Sequence, residues 1–93
     1  VHIVQKLSFQ RDYKKLHANQ KRDMDEAICA IMADPAIGEP KVGDLTGIQV
    51  HKFKMVGQQI LLAYSYHDEI VTLMLLMFGS HENFYKDLKK SIR

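Results

Sequence analysis

Two stretches in the C-terminal half constrain this chain more than anything else in it. Residues 60–66 and 70–78 are apolar at both odd and even positions, and the second is interrupted only by Thr72. Successive side chains on a strand point to opposite faces, so a strand apolar on both parities must be covered on both. The two runs therefore read as neighbouring central strands, joined by a turn at His67, Asp68 and Glu69. Neither approaches the ~20 apolar residues of a membrane-crossing helix.

The rest of the chain supplies the covers. Residues 48–55 form a third strand, with Ile48 and Val50 on one parity and Phe53 and Met55 on the other. A bulge or two partly buried faces would explain the change of phase. Val56, Gly57 and Gln58 turn it into the next strand. Upstream, residues 3–7 read as a first strand and Ser8 as a helix N-cap. Phe9, Tyr13 and Leu16 then follow at helical spacing. After a second candidate cap at Asn19, Met24, Ala27, Ile28, Ile31 and Met32 form a helical stripe that Pro35 ends. The lone Cys29 is placed on that buried stripe as an inert small hydrophobe. Residues 34–47 hold both prolines and three glycines, and read as loop. Gly79 breaks the last strand, and Ser80 can cap a final helix containing Asn83, Phe84 and Leu88. The order is β-α-α-β-β-β-α. The expected fold is α+β, one domain over residues 1–93. A twisted antiparallel sheet carries the first strand at its edge, a helical hairpin on one face and a short C-terminal helix.

Composition narrows the function. With 46% hydrophobic and 26% charged residues, the 93-residue chain is neither a disordered tail nor a low-complexity linker. One cysteine excludes an internal disulfide and a cysteine-based zinc site. A net charge of +2 permits nucleic-acid or acidic-protein partners without requiring them. The first residues lack a basic region followed by a long apolar stretch, so a cytoplasmic protein with no membrane segment is expected. A chain this small has little room for a deep pocket. It must act on an open surface or complete its site against something larger.

The candidate site residues lie in the second half. Lys52 and Lys54 are two apart, hence on one strand face, where they could track phosphates or simply discourage sheet stacking. His81 follows the last strand near a helix start, a place that can bind an anion. Tyr85 is one helical turn beyond it. His51 adjoins the lysines, yet its parity groups it with Phe53 and Met55 and the core. His67 serves a turn, and His2 and His17 belong to the surface. No spacing suits a metal, and no cofactor is expected.

Several signatures in order resemble the RelE/ParE toxins of bacterial type II toxin–antitoxin systems. They are Phe9-x-x-x-Tyr13-Lys14-Lys15-Leu16, Asp34-Pro35-x-x-Gly38-Glu39, Gly43-Asp44-Leu45-Thr46-Gly47, Lys52-Phe53-Lys54, Leu61-Leu62-Ala63-Tyr64 and the run from Gly79 through His81-Glu82-Asn83-Phe84-Tyr85 to Leu88. The resemblance covers essentially the whole chain and implies the same small fold. RelE-like members cut messenger RNA on the ribosome, and ParE-like members inhibit DNA gyrase. The resemblance implies Lys52, Lys54, His81, Tyr85 and His51 as catalytic candidates for RNA cleavage. The chain departs from RelE at Leu61, where RelE-type nucleases carry an arginine, and from YafQ-like enzymes at Gln58 and Gln59. The resemblance also implies a cognate antitoxin, with the basic tail Lys86, Lys89, Lys90 and Arg93 as its contact and displacement of that tail as a mode of inhibition. Three readings follow: a ribosome-dependent mRNA endonuclease, a gyrase inhibitor without nuclease activity, and a remnant that binds only its antitoxin.

Overall fold

In the computed structural model, residues 2–67, 72–82 and 84–91 are described. The chain runs β1 (His2–Gln5), α1 (Leu7–Lys14), α2 (Ala18–Ala33), a 3-10 turn (Pro35–Ile37) and β2 (Glu39–Pro40). A second 3-10 turn (Gly43–Leu45) then leads to β3 (Gln49–Met55), β4 (Gln58–His67), β5 (Thr72–Gly79) and α3 (Phe84–Ser91). One sheet takes the order β1-β5-β4-β3-β2. Residues 60–64 of β4, at its centre, are all buried.

The two faces of β4 generate two cores. Ile60, Leu62 and Tyr64 pack with Phe9, Met24, Ile31, Met55, Leu73 and Leu75 under the helical hairpin. Leu61 and Ala63 pack with Leu45, Ile48, Val50, Leu76, Phe84 and Leu88 on the other side. The expected phase change in the third strand is thus two half-buried faces: Val50 serves one core, Met55 the other, and β3 pairs evenly with β4 throughout. The bulge lies instead between β4 and β5. Ala63 faces Met77 and Tyr64 faces Leu75, so the extra Leu76 turns into the second core.

The sheet is mixed at one edge. β1 lies parallel to β5, a pairing open to it because the two strands are far apart in the chain and no hairpin joins them. At the other edge the expected loop contains the short strand β2, antiparallel to β3 through Glu39↔Val50 and Pro40↔Gln49. Proline is tolerated there because an edge strand has a free side.

Several local expectations move. β1 ends at Gln5, so α1 starts at Leu7 with Lys6 as N-cap. Ser8 falls inside the helix and its hydroxyl donates to the Leu76 carbonyl at 3.4 Å. For α2 the N-cap is His17, whose N–H donates to Gln20 Oε1 at 2.8 Å, and Asn19 sits in the first turn. Cys29 is exposed, not buried. It is two positions from both Ala27 and Ile31, and at ~100° per residue that is the opposite side of the helix. α3 begins at Phe84, four positions beyond Ser80; Asn83, Asp68, Glu69 and Arg93 lie outside the described residues.

The hairpin is tied by Tyr13, whose hydroxyl donates to Asp25 Oδ1 at 2.7 Å, while Lys21 Nζ lies 5.5 Å from its ring centre. An isolated helix the length of α3 would be marginal in water. Phe84 and Leu88 anchor it, and burying each contributes about 2 kcal/mol. The exposed Lys89–Asp44 pair at 4.0 Å adds at most about 1 kcal/mol. Packing, not charge, holds α3 to the sheet. Among the described residues no helix is long and apolar enough to cross a membrane.

Two features give stability predictions. The β3–β4 turn places Val56 at φ 50°, a left-handed conformation that a β-branched residue avoids. Asp23 on α2 accepts its N–H at 2.8 Å and holds it there. Val56→Asn should raise stability by about 1 kcal/mol in urea denaturation. The second feature is the fully buried Tyr64. Its hydroxyl donates to the Pro35 carbonyl at 2.6 Å and accepts from the Gly38 N–H at 2.9 Å. Burial keeps the phenol above its ordinary pKa, so the donor stays protonated. The Gln49 amide nitrogen donates to this hydroxyl at 3.0 Å and to the Pro35 carbonyl at 2.9 Å. Tyr64→Phe should cost about 2 kcal/mol in the same assay, since both Pro35 and Gly38 lose a partner.

Candidate functional site

Strand alternation sends Lys52 and Lys54 to the face that carries α3, beyond the end of the helix-covered core, where both are exposed. Register places Lys52 beside Leu61, and Leu61 beside Gly79. With neighbouring strands ~4.8 Å apart, Lys52 lies about 10 Å from the point where the chain leaves β5 for His81. His81 is exposed and meets Tyr85 edge-to-face, ring centres 6.0 Å apart. Tyr85 is half-buried and also meets the buried Phe84 edge-on at 5.2 Å. The short helix thus uses Phe84 as its anchor and presents the adjacent Tyr85 at its flank.

A residue that sequence reasoning passed over completes this group. Lys41 follows β2, and its N–H donates to the Ile48 carbonyl at 3.0 Å. That register puts its side chain on the same face as Lys52 and Lys54. Its ammonium lies 5.1 Å from the centre of the Tyr85 ring and 3.4 Å from Glu39 Oε1, and its side chain is only 19% exposed. Burial pulls its pKa down, but the Tyr85 hydroxyl and Glu39 more than reverse this, so the group lies above its ordinary value and stays charged. An open hollow of about 480 Å³ adjoins it, bounded by Val42, Asp44, Leu45, Tyr85 and Lys89. No sequence signal marked Lys41, because its loop reads as irregular until β2 is paired with β3.

The structure does not bring His51 into this group. It lies on the hairpin face, stacked on Phe53 with ring centres 6.0 Å apart, so the sheet separates it from the lysines. Burial holds its pKa below the ordinary value and favours neutral imidazole. Leu61 is fully buried under α3, so the middle strand contributes no charge to this face at that position. Gln58 and Gln59 are exposed at the start of β4, with Gln59 beside Lys54. Of the basic tail, Lys86, Lys89 and Lys90 are exposed on α3. Among the described residues, no group of three His, Cys, Asp or Glu side chains could hold a metal ion.

The profile of the ParE-like toxins of type II bacterial toxin–antitoxin systems matches residues 3–89. The chain belongs to this toxin family. Solved structures agree on the fold. A double mutant of the Escherichia coli toxin RelE in the free state superposes with a TM-score of 0.73 at 18% identity, covering 99% of this chain and 97% of that one. The RelBE2 toxin–antitoxin complex of Mycobacterium tuberculosis gives 0.72 at 21% identity, covering 86% and 96%. A YoeB/ParE toxin from Agrobacterium tumefaciens gives 0.70 at 19% identity, covering 87% and 99%. No curated protein matches the chain significantly. At these identities the neighbours establish the toxin's fold and leave its target to the site chemistry.

His51 gives the toxin a pH signature. Its folded pKa is lowered, so at pH values just below the ordinary 6.5 the unfolded chain binds more protons than the folded one. Stability therefore rises with pH through that window and is lost as pH falls. The drop in melting temperature between about pH 7.5 and about pH 5.5 should be smaller in His51→Gln than in the parent protein.

Proposed function

We propose that this toxin arrests growth as a ribosome-dependent mRNA endonuclease held in check by a cognate antitoxin. The observation that carries the reading is the His81–Tyr85 ring pair on the face that also bears Lys52 and Lys54. Cleavage by the neighbouring 2′-OH needs a proton acceptor, a proton donor for the departing 5′-oxygen, and cations at the phosphorane. The 2′-oxygen bonds to phosphorus, the bond to the 5′-oxygen breaks, and a 2′,3′-cyclic phosphate remains. His81 is the proton carrier, with its ring oriented by Tyr85. Lys52 and Lys54 counter the negative charge. The group lies open at the surface, which suits a site completed by a larger partner.

The antitoxin follows from the family and from the solved RelBE complexes, which contain one. An acidic segment would meet the exposed Lys86, Lys89 and Lys90 of α3, with Arg93 beyond them. The fully buried Leu61 favours a second reading, gyrase inhibition, because it removes a charge that RelE-like cleavage uses.

Induction in bacteria separates the two. The nuclease reading expects messenger RNA cut within translated frames. Lys54→Ala, His81→Ala and Tyr85→Ala should each lower cleavage by about 100-fold. The exposed Lys54 and His81 variants should melt with the parent, while Tyr85→Ala, which also loses a ring packed on Phe84, should melt lower. Intact messenger RNA together with an SOS response and stalled gyrase–DNA complexes would overturn it in favour of gyrase.

A further inference from the structure

Three lysines share the α3-bearing face of the sheet, and they are held very differently. Lys52 and Lys54 are exposed. Lys41 is mostly covered, with its ammonium placed between the Tyr85 ring and Glu39. A lysine loses up to about 2 kcal/mol of side-chain freedom when it is fixed. In Lys41 the fold has already met much of that cost, before any ligand arrives. Such a group binds or stabilises charge better than a mobile one.

Its position is equally specific. Lys41 stands beside Ile48, four positions along β3 from Lys52, or about 13 Å, and six from Lys54, or about 20 Å. That span exceeds a single phosphate and fits a short run of extended single strand. Tyr85 lies at the Lys41 end, in contact with His81. The adjoining hollow of about 480 Å³ is large enough for one nucleotide, and Lys89 adds a second ammonium at its rim. Asp44 and Glu39 lie there too, but both side chains are more than three-fifths exposed, so water and salt screen them.

We propose that Lys41 is a phosphodiester-binding residue, which holds the RNA backbone beside Tyr85 and extends the Lys52–Lys54 track across the face to the β2 edge. This rests on the nuclease reading above and adds a contact that reading does not need. The ligand is a single-stranded RNA phosphate, and the contact is sequence-independent.

The test measures cleavage of a translated messenger RNA in a purified translation system with the parent toxin, Lys41→Met and Lys41→Arg. Methionine keeps the packing of the stem and removes the charge. The expected result is a loss of about 100-fold in Lys41→Met, substantial recovery in Lys41→Arg, and equal melting temperatures for all three. Binding of a 2′-O-methylated single-stranded RNA, which cannot be cut, supplies a second readout. Its salt dependence should become shallower by about 0.7 in Lys41→Met, as one phosphate contact is lost, and to the same degree for every base sequence. If the parent cuts and Lys41→Met cuts equally well, the inference is overturned and the nuclease reading stands. If cleavage is unchanged while binding of polyglutamate weakens, Lys41 serves an acidic protein partner, and the inference is again overturned. A parent toxin that never cuts overturns both.

Discussion

The requirement that β4 be buried on both faces organises this structure. A strand with Leu61 and Ala63 on one side and Ile60, Leu62 and Tyr64 on the other cannot face water on either. Fewer than a hundred residues must therefore build two small cores instead of one large one. The helical hairpin covers the first. The second is closed by elements too short to stand alone, a 3-10 turn carrying Leu45 and α3 carrying Phe84 and Leu88. The C-terminal helix is thereby a structural part of the sheet as well as the carrier of Tyr85. Any partner that lifts it must replace the burial of Phe84 and Leu88.

The same strand sends a polar signal outward. Tyr64 belongs to the hairpin core, yet its hydroxyl satisfies the backbone of Pro35 and Gly38 at the sheet edge. A side chain built onto Gly38 would meet that hydroxyl at 2.6 Å, so the loop is fitted closely around it. This clamp sets the path into β2, and β2 sets the register of Lys41. Core packing on one face thus decides where a cation stands on the other.

The surface that results is shallow. The charged and aromatic groups sit at the ends of secondary structure and on a sheet face, in an order that buried hydrogen bonds and aromatic anchors fix. A small fold of this kind supplies fixed charges and rings on an open face rather than in an enclosed pocket.

Much of this was legible in the chain. Apolar residues on both parities of 60–66 announce a doubly buried strand because backbone geometry alone decides which way side chains point. The stripe through Met24, Ala27 and Ile31 announces a buried helix face for the same reason. Lys52 and Lys54 share a face by the same alternation, which also sets His51 apart from them. These are local consequences of the period of the backbone. Lys41, the bulge that turns Leu76 inward, and the parallel pairing of β1 with β5 were not legible. Each depends on which segment lies beside which, and that is settled by long-range packing between residues distant in sequence. The sequence by itself determined the long helix, the central strands with their buried faces, and the family, but not the edge strand β2. Only the tertiary structure decided that a loop lysine would stand over Tyr85, because only the paired sheet brings Lys41 and α3 to the same face.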